Sequence, residues 1–147
     1  AGVAGKMDNR VIAAYQQLGF KLVVDPSVNY SGYFDARSRS ITMKQIDDSV
    51  YHELGHFLAF IAGNVDKTAS FQSIFAAEKA NVTAFNKAYV TQNASEYFAE
   101  SVKDYILNNA SLKSTRPQTY AAVQNALNQI TDAQIAKIQK IYGAFWN

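Results

Sequence analysis

The chain has no cysteine. Disulfides and thiolate ligands are therefore excluded, and any metal site must be built from His, Glu, Asp or Tyr. No run of about eighteen apolar residues occurs, so no transmembrane helix and no membrane insertion are expected. Basic residues are scattered rather than clustered: 14 basic against 12 acidic side chains leave a net charge of +2. This pattern points to neither nucleic acid nor a membrane surface as partner. No signal peptide is visible. The chain opens Ala1-Gly2-Val3 without an initiator Met, and we read it as a mature form or an excised domain.

Histidine is almost as scarce as cysteine. There are 2 in the chain, and both fall in His52-Glu53-Leu54-Gly55-His56. On a helix, positions four apart share a face, so His52 and His56 can offer imidazole nitrogens to one ion. Glu53 falls about a third of a turn away, where a carboxylate can act as general base on a metal-activated water. Composition alone would produce His-Glu-x-x-His in a chain this long with odds of roughly half a per cent. The bland reading is an amphipathic helix with two buried, hydrogen-bonded histidines, and what surrounds the motif must decide against it.

At 147 residues with 48% hydrophobic and 18% charged side chains, one domain with a real core is expected. Val11, Ile12, Tyr15 and Leu18 recur at helical spacing and predict a helix from about Met7 to Leu18, stopped by Gly19. Phe20 to Val24 reads as a short apolar strand closed by Asp25-Pro26. Turn-like Asn29-Tyr30-Ser31-Gly32 and Asp35-Ala36-Arg37-Ser38-Arg39 bracket Tyr33-Phe34, and Ser40-Ile41-Thr42-Met43 follows as a β-branched strand. The expectation is a small antiparallel sheet of about three strands. Asp47 or Asp48 can cap the next helix, which carries the metal motif to about Ala62 and stops at Gly63-Asn64. Val50, Leu54, Phe57, Leu58 and Ile61 bury that helix. Gly55 costs about 1 kcal/mol of helix propensity against Ala, so it is expected to admit a close approach, by a strand or a substrate backbone. Near the end, Thr131-Asp132-Ala133 caps a helix with Ile135, Ile138 and Ile141 at near-helical spacing, ending at Tyr142-Gly143-Ala144-Phe145-Trp146. It is expected to pack on the domain, with partner docking as the alternative.

A third protein ligand is required, and the glutamates are Glu53, Glu78, Glu96 and Glu100. The extended metzincin pattern fails, because Ala59 and Ala62 occupy its Gly and ligand positions. Glu78 follows His56 at a spacing near that of thermolysin-like enzymes, and Asp66 would suit an aspartate-liganded class. Glu96 and Glu100 form the strongest pair. At i and i+4 on a helix, one can bind metal while the other orients a ligand. Tyr97, Phe98, Val102 and Ile106 flank them and bury part of that helix, so the carboxylates need partners.

Asn93-Ala94-Ser95-Glu96-Tyr97-Phe98-Ala99-Glu100-Ser101 resembles the Glu-aromatic-Phe-Ala-Glu motif of the anthrax lethal factor catalytic domain and of the secreted bacterial Pro-Pro endopeptidases. The likeness extends through Ala69 to Phe75 and Lys113 to Tyr120, covering most of His52 to Ala126. The resemblance implies that His52, His56 and Glu96 are zinc ligands, Glu53 the general base, and Glu100 a supporting carboxylate beside them. It also implies that Tyr89, seven residues before Glu96, donates a hydrogen bond to the reaction's oxyanion. Unlike the Pro-Pro endopeptidases, this chain has only the compact stretch from Tyr30 to Asp48 between sheet and metal helix, so cleavage between prolines is one option among several. The delivery domains of lethal factor have no counterpart in these residues.

The expectation is thus a compact α+β zincin in one domain, residues 1–147. It would be a secreted bacterial endopeptidase using one Zn2+ per chain, with protein or peptide substrates. The alternative is a catalytically silent zinc-binding or adhesion module of the same fold, and a purely structural helical domain predicts no stoichiometric zinc. No oligomeric state follows from the sequence.

Overall fold

The computed structural model describes residues 4–84 and 86–146; the opening Ala1-Gly2-Val3 lies outside them. Helix α1 (Asn9–Gln17) begins where the Asp8 carboxylate accepts the Arg10 N–H at 2.8 Å. It buries Val11 and Ala14, and Gly19, at φ 78°, turns the chain away from it. Strands β1 (Lys21–Val24), β2 (Gly32–Asp35) and β3 (Ser40–Met43) follow.

The sheet corrects an expectation. It is mixed rather than antiparallel, in the order β1-β3-β2. β2 and β3 form the anticipated antiparallel hairpin, with Tyr33 opposite Thr42, but β1 runs parallel to β3, with Leu22 opposite Ile41. The segment after β1 carries the chain to the far side of β3's future place, so β3 returns between its two predecessors. Ile41 and Met43 consequently point into the core from the central strand, while every residue of β1 stays exposed.

Helix α2 (Ser49–Ile61) carries both histidines. Of the two candidate caps, Asp47 makes the bond, accepting the Ser49 N–H at 2.9 Å, and Asp48 makes none. A short 3-10 turn (Val65–Lys67) leads to α3 (Ala69–Glu78), capped by Thr68. Then come α4 (Lys87–Val90), α5 (Ala94–Leu107), α6 (Asn109–Thr115), α7 (Pro117–Asn128) and α8 (Asp132–Trp146). The architecture is α+β, with a small sheet before a largely helical second half.

The centre of the core is the crossing of α2 and α5. A Cβ on Gly55 would meet the Ala99 carbonyl oxygen at 2.7 Å and its Cα at 2.8 Å. Gly55 therefore does admit a close approach, but by a helix rather than by a strand or substrate. Phe57, Leu58, Phe98 and Tyr97 fill the surrounding space with essentially no exposure, each such side chain contributing about 2–3 kcal/mol by leaving water. Helix α8 packs on this body as anticipated: Ile138 is buried, and Gln134 donates to the Ile61 carbonyl at 2.8 Å. Ile141, three residues on, is 50% exposed.

Candidate metal centre and cleft

Two helices build the centre. On α2 the i, i+4 spacing brings the rings of His52 and His56 edge-on, with centroids 5.0 Å apart. On α5 the first turn is held by Asn93, whose side-chain oxygen accepts the Glu96 N–H at 2.8 Å. The close crossing at Gly55 and Ala99 then sets α5 against α2 so that Glu96 reaches both rings. Glu96 Oε1 lies 2.9 Å from His52 Nε2 and 3.2 Å from His56 Nε2. One donor atom from each of these three residues lies within 4.8 Å of the other two, a cluster able to hold a metal ion. Glu100, one turn along, places Oε1 2.8 Å from His52 Nδ1.

The charges in this cluster respond to one another. Burial opposes protonation of His52, yet the carboxylates of Glu100 and Glu96 outweigh it and raise the imidazole to about 9 in the metal-free chain. Burial would raise Glu96, but its contacts with His52 and His56 hold it well below the usual carboxylate range. Glu100 is lowered in the same way, against burial, by His52. Glu53 goes the other way. It is buried, and burial pushes its carboxyl up against the pull of the two histidines.

Strand β2 forms the roof over Glu53. A Cβ at Gly32 would stand 2.9 Å from Glu53 Cγ and 3.0 Å from Oε2, so glycine lets the backbone lie directly on this carboxyl group. Phe34, two residues on and therefore on the same face, stacks on the His56 ring at 6.4 Å and 15°. A cleft of about 320 Å³ opens beside the centre, lined by Tyr30, Gly32, His52, Glu53, Tyr89 and Lys103 among others. Tyr89 is 52% exposed, with its ring centroid 6.4 Å from that of His52. Partial burial and the Glu96 carboxylate push its hydroxyl up to about 12, so it remains a donor at neutral pH.

The rival third ligands stand elsewhere. Glu78 is 5% exposed and accepts the Gln118 N–H at 3.1 Å, the Thr119 N–H at 2.8 Å and the Thr119 hydroxyl at 2.7 Å. It closes the N-terminus of α7 and is not part of the His52–His56 cluster. Asp66 accepts the Ser95 hydroxyl at 2.6 Å beside the start of α5, also outside that cluster. Sequence reasoning missed Gly32, Phe34 and Lys103 as parts of this region. Alternation along β2 could have paired Gly32 with Phe34 on one face, but nothing local shows which face meets α2.

Comparison with known proteins agrees with the motif. The family model described as anthrax toxin lethal factor, N- and C-terminal domain, matches residues 20–126. A Pro-Pro endopeptidase from Clostridioides difficile (strain 630) is 41% identical over 78 residues, which is 50% of this chain and 34% of that protein. The match thus spans about a third of the relative's length.

Proposed function

Because the chain belongs to the family of the anthrax toxin lethal factor N- and C-terminal domain, we propose that it is a zinc-dependent endopeptidase with a zincin-like fold, a single metallopeptidase domain. The observation that carries this reading is the convergence of His52, His56 and Glu96. Donors around a tetrahedral zinc at about 2.0–2.1 Å stand about 3.3 Å from one another. The distances of 2.9 and 3.2 Å from Glu96 Oε1 to the two imidazoles are close to that spacing. Two neutral imidazoles and a carboxylate are also a donor set suited to zinc in a hydrolytic site. His52 and His56 would bind through Nε2 and Glu96 through a carboxylate oxygen. When bound, zinc supplies a Lewis acid that brings the acidity of water near neutrality and polarises a carbonyl.

The chain's own groups perform the remaining work. Glu100 accepts the Nδ1–H of His52, which selects the tautomer that turns the Nε2 lone pair toward the cluster and fixes the ring. Glu53, held beneath Gly32, takes a proton from the attacking water as the scissile carbonyl carbon becomes tetrahedral. Its raised affinity for protons suits that transfer. It then returns the proton to the departing amine, and the peptide bond breaks without a covalent intermediate. Tyr89 stays protonated and donates a hydrogen bond to the developing oxyanion.

Substrates on this reading are proteins or peptides. Cleavage between prolines is one candidate specificity, since a relative is a Pro-Pro endopeptidase. The family description names a toxin, and from it we extend the reading to a bacterial protein acting outside the cell that makes it. No helix among the described residues is long and apolar enough to cross a membrane. The test is metal content and peptide-library cleavage of the native chain beside Glu53→Ala. One zinc in both with cleavage only by the native chain supports the proposal, and the sites cut give the specificity. Zinc in both without cleavage would favour the binding module, and absence of zinc would defeat the reading.

A further inference from the structure

Helix α8 lies beyond the residues matched by the family, 20–126, yet a continuous series of contacts joins it to the candidate centre. Trp146, in its last turn, donates its indole N–H to the Ala36 carbonyl at 3.0 Å, one residue past β2. Arg39, in the turn between β2 and β3, is a non-glycine residue at φ 55°. Its side chain donates to the Leu18 carbonyl at 3.1 Å and to the Trp146 carbonyl at 3.3 Å, and its guanidinium lies 5.1 Å from the indole centroid. One cation therefore satisfies the Leu18 carbonyl, at the C-terminal end of α1 where the helix dipole favours positive charge, and the Trp146 carbonyl of α8. Gly19 leaves the room: a Cβ there would stand 2.9 Å from Arg39 Nη1.

From the clamped indole the contacts run inward. Trp146 meets Phe20 edge-on at 5.7 Å, Phe20 stacks on Phe34 at 6.0 Å and 2°, and Phe34 stacks on His56. The strand that holds Phe34 also holds Gly32 against Glu53. β2 is an edge strand of a three-stranded sheet, paired among the described residues only with β3. A short edge strand needs support from outside the sheet to keep one position.

We propose that Trp146 is a positioning residue for the centre. Clamped by Arg39, it holds β2 through the Ala36 carbonyl and the Phe20–Phe34 stack, and so holds Phe34 on His56 and Gly32 on Glu53. The consequence for zinc rests on the peptidase reading, whereas the hold on β2 does not. Three variants separate this role from simple covering of the core. Trp146→Ala removes ring and donor, Trp146→Phe keeps a ring without the N–H, and Phe145→Ala changes a neighbour that is 70% exposed.

Two measurements are made on each variant and on the native chain. One is the zinc dissociation constant, read with zinc alone against a chromophoric chelator. The other is amide hydrogen exchange of Gly32–Asp35 in the zinc-free chain, referenced to the amides of α5. Trp146→Ala is expected to weaken zinc about tenfold and to speed local exchange in β2 about tenfold. Trp146→Phe should show about a third of each effect on a logarithmic scale, and Phe145→Ala none. A folded Trp146→Ala protein with only a lower melting temperature, unchanged β2 exchange and unchanged zinc affinity would overturn the proposal. If Trp146→Ala fails to fold, Trp146→Phe decides by the same two readouts. If the native chain takes up no zinc, the peptidase reading fails, while exchange in β2 still decides whether Trp146 holds the strand.

Discussion

Glu78 and Glu96 are two buried or half-buried glutamates, the first with three donors and the second with two imidazole rings gathered about its carboxylate, in two different corners of the molecule. In the corner between α3 and α7, Glu78 meets two backbone N–H groups and a hydroxyl, all permanent donors of the first turn of α7. In the crossing of α2 and α5, Glu96 meets two imidazole nitrogens. Those nitrogens can lose their protons and turn lone pairs toward an ion, whereas an amide cannot. The first corner is sealed. The second adjoins a cleft formed with Tyr89 and β2. The same side chain is thus a structural cap in one place and a candidate ligand in the other, according to whether its partners can be exchanged.

The sharpest way to break this contrast is to remove each carboxylate in turn. Glu96→Ala is expected to weaken zinc binding by at least about 100-fold, roughly 3 kcal/mol, while the chain stays folded. Glu78→Ala should leave zinc affinity within about a factor of two but lower folding stability by about 2–3 kcal/mol, because buried amides of α7 lose their acceptor. Isothermal or chelator-based zinc titration and urea unfolding read both quantities. The reverse pattern would exchange the two assignments. Gly55→Ala tests what brings the second corner together. Helix propensity favours Ala by about 1 kcal/mol, but its methyl would meet the backbone of Ala99 at under 3.0 Å. Overpacking should win, for a net loss of about 1–2 kcal/mol in urea unfolding together with weaker zinc binding.

The last effect is on pH. In the metal-free chain His52 is raised from 6.5 to about 9. Its contribution to stability is therefore fully present below pH 6.5, declines between 6.5 and 9, and is absent above. Glu96 and Glu100 are lowered from 4.5, so theirs is present above that pH and lost as acid protonates them. Zinc-free unfolding followed from pH 4 to pH 10 should show this rise and fall. Zinc affinity should instead increase as pH rises toward 9, because the ion competes with the proton on His52. Parallel trends for stability and affinity between pH 6.5 and 9 would contradict the role given to His52.

Much of the candidate centre was legible because it is helical. An i, i+4 rule is local, so His52 with His56, and Glu96 with Glu100, could each be placed on one face before any tertiary contact was known. The sheet was less legible. Strands β2 and β3 are joined by a short turn and their antiparallel pairing is local, but β1 finds its partner across the whole of β2. Nothing within Phe20 to Val24 states on which side of the hairpin it will lie. The strand was read as apolar, yet Leu22, Val23 and Val24 are all exposed. Gly32 and Phe34 were read as parts of a turn and a strand. Their meaning depends on Glu53 and His56, about twenty residues away on another element.

The sequence by itself determined the chemistry available: no thiolate, two histidines at helical spacing, a carboxylate between them, and few glutamates to complete a ligand set. It also determined α1, α2 and α8 in outline, because their periodicity, caps and glycine stops are written within a few turns of chain. Only the tertiary structure decided which glutamate faces the histidines, which face of β2 covers Glu53, and that the indole of Trp146 reaches Ala36 across the molecule. The reason is physical. Local rules act through bonds and turns of fixed geometry, whereas these choices depend on close packing between elements distant in sequence, where a contact such as Gly55 on Ala99 sets all the distances around it.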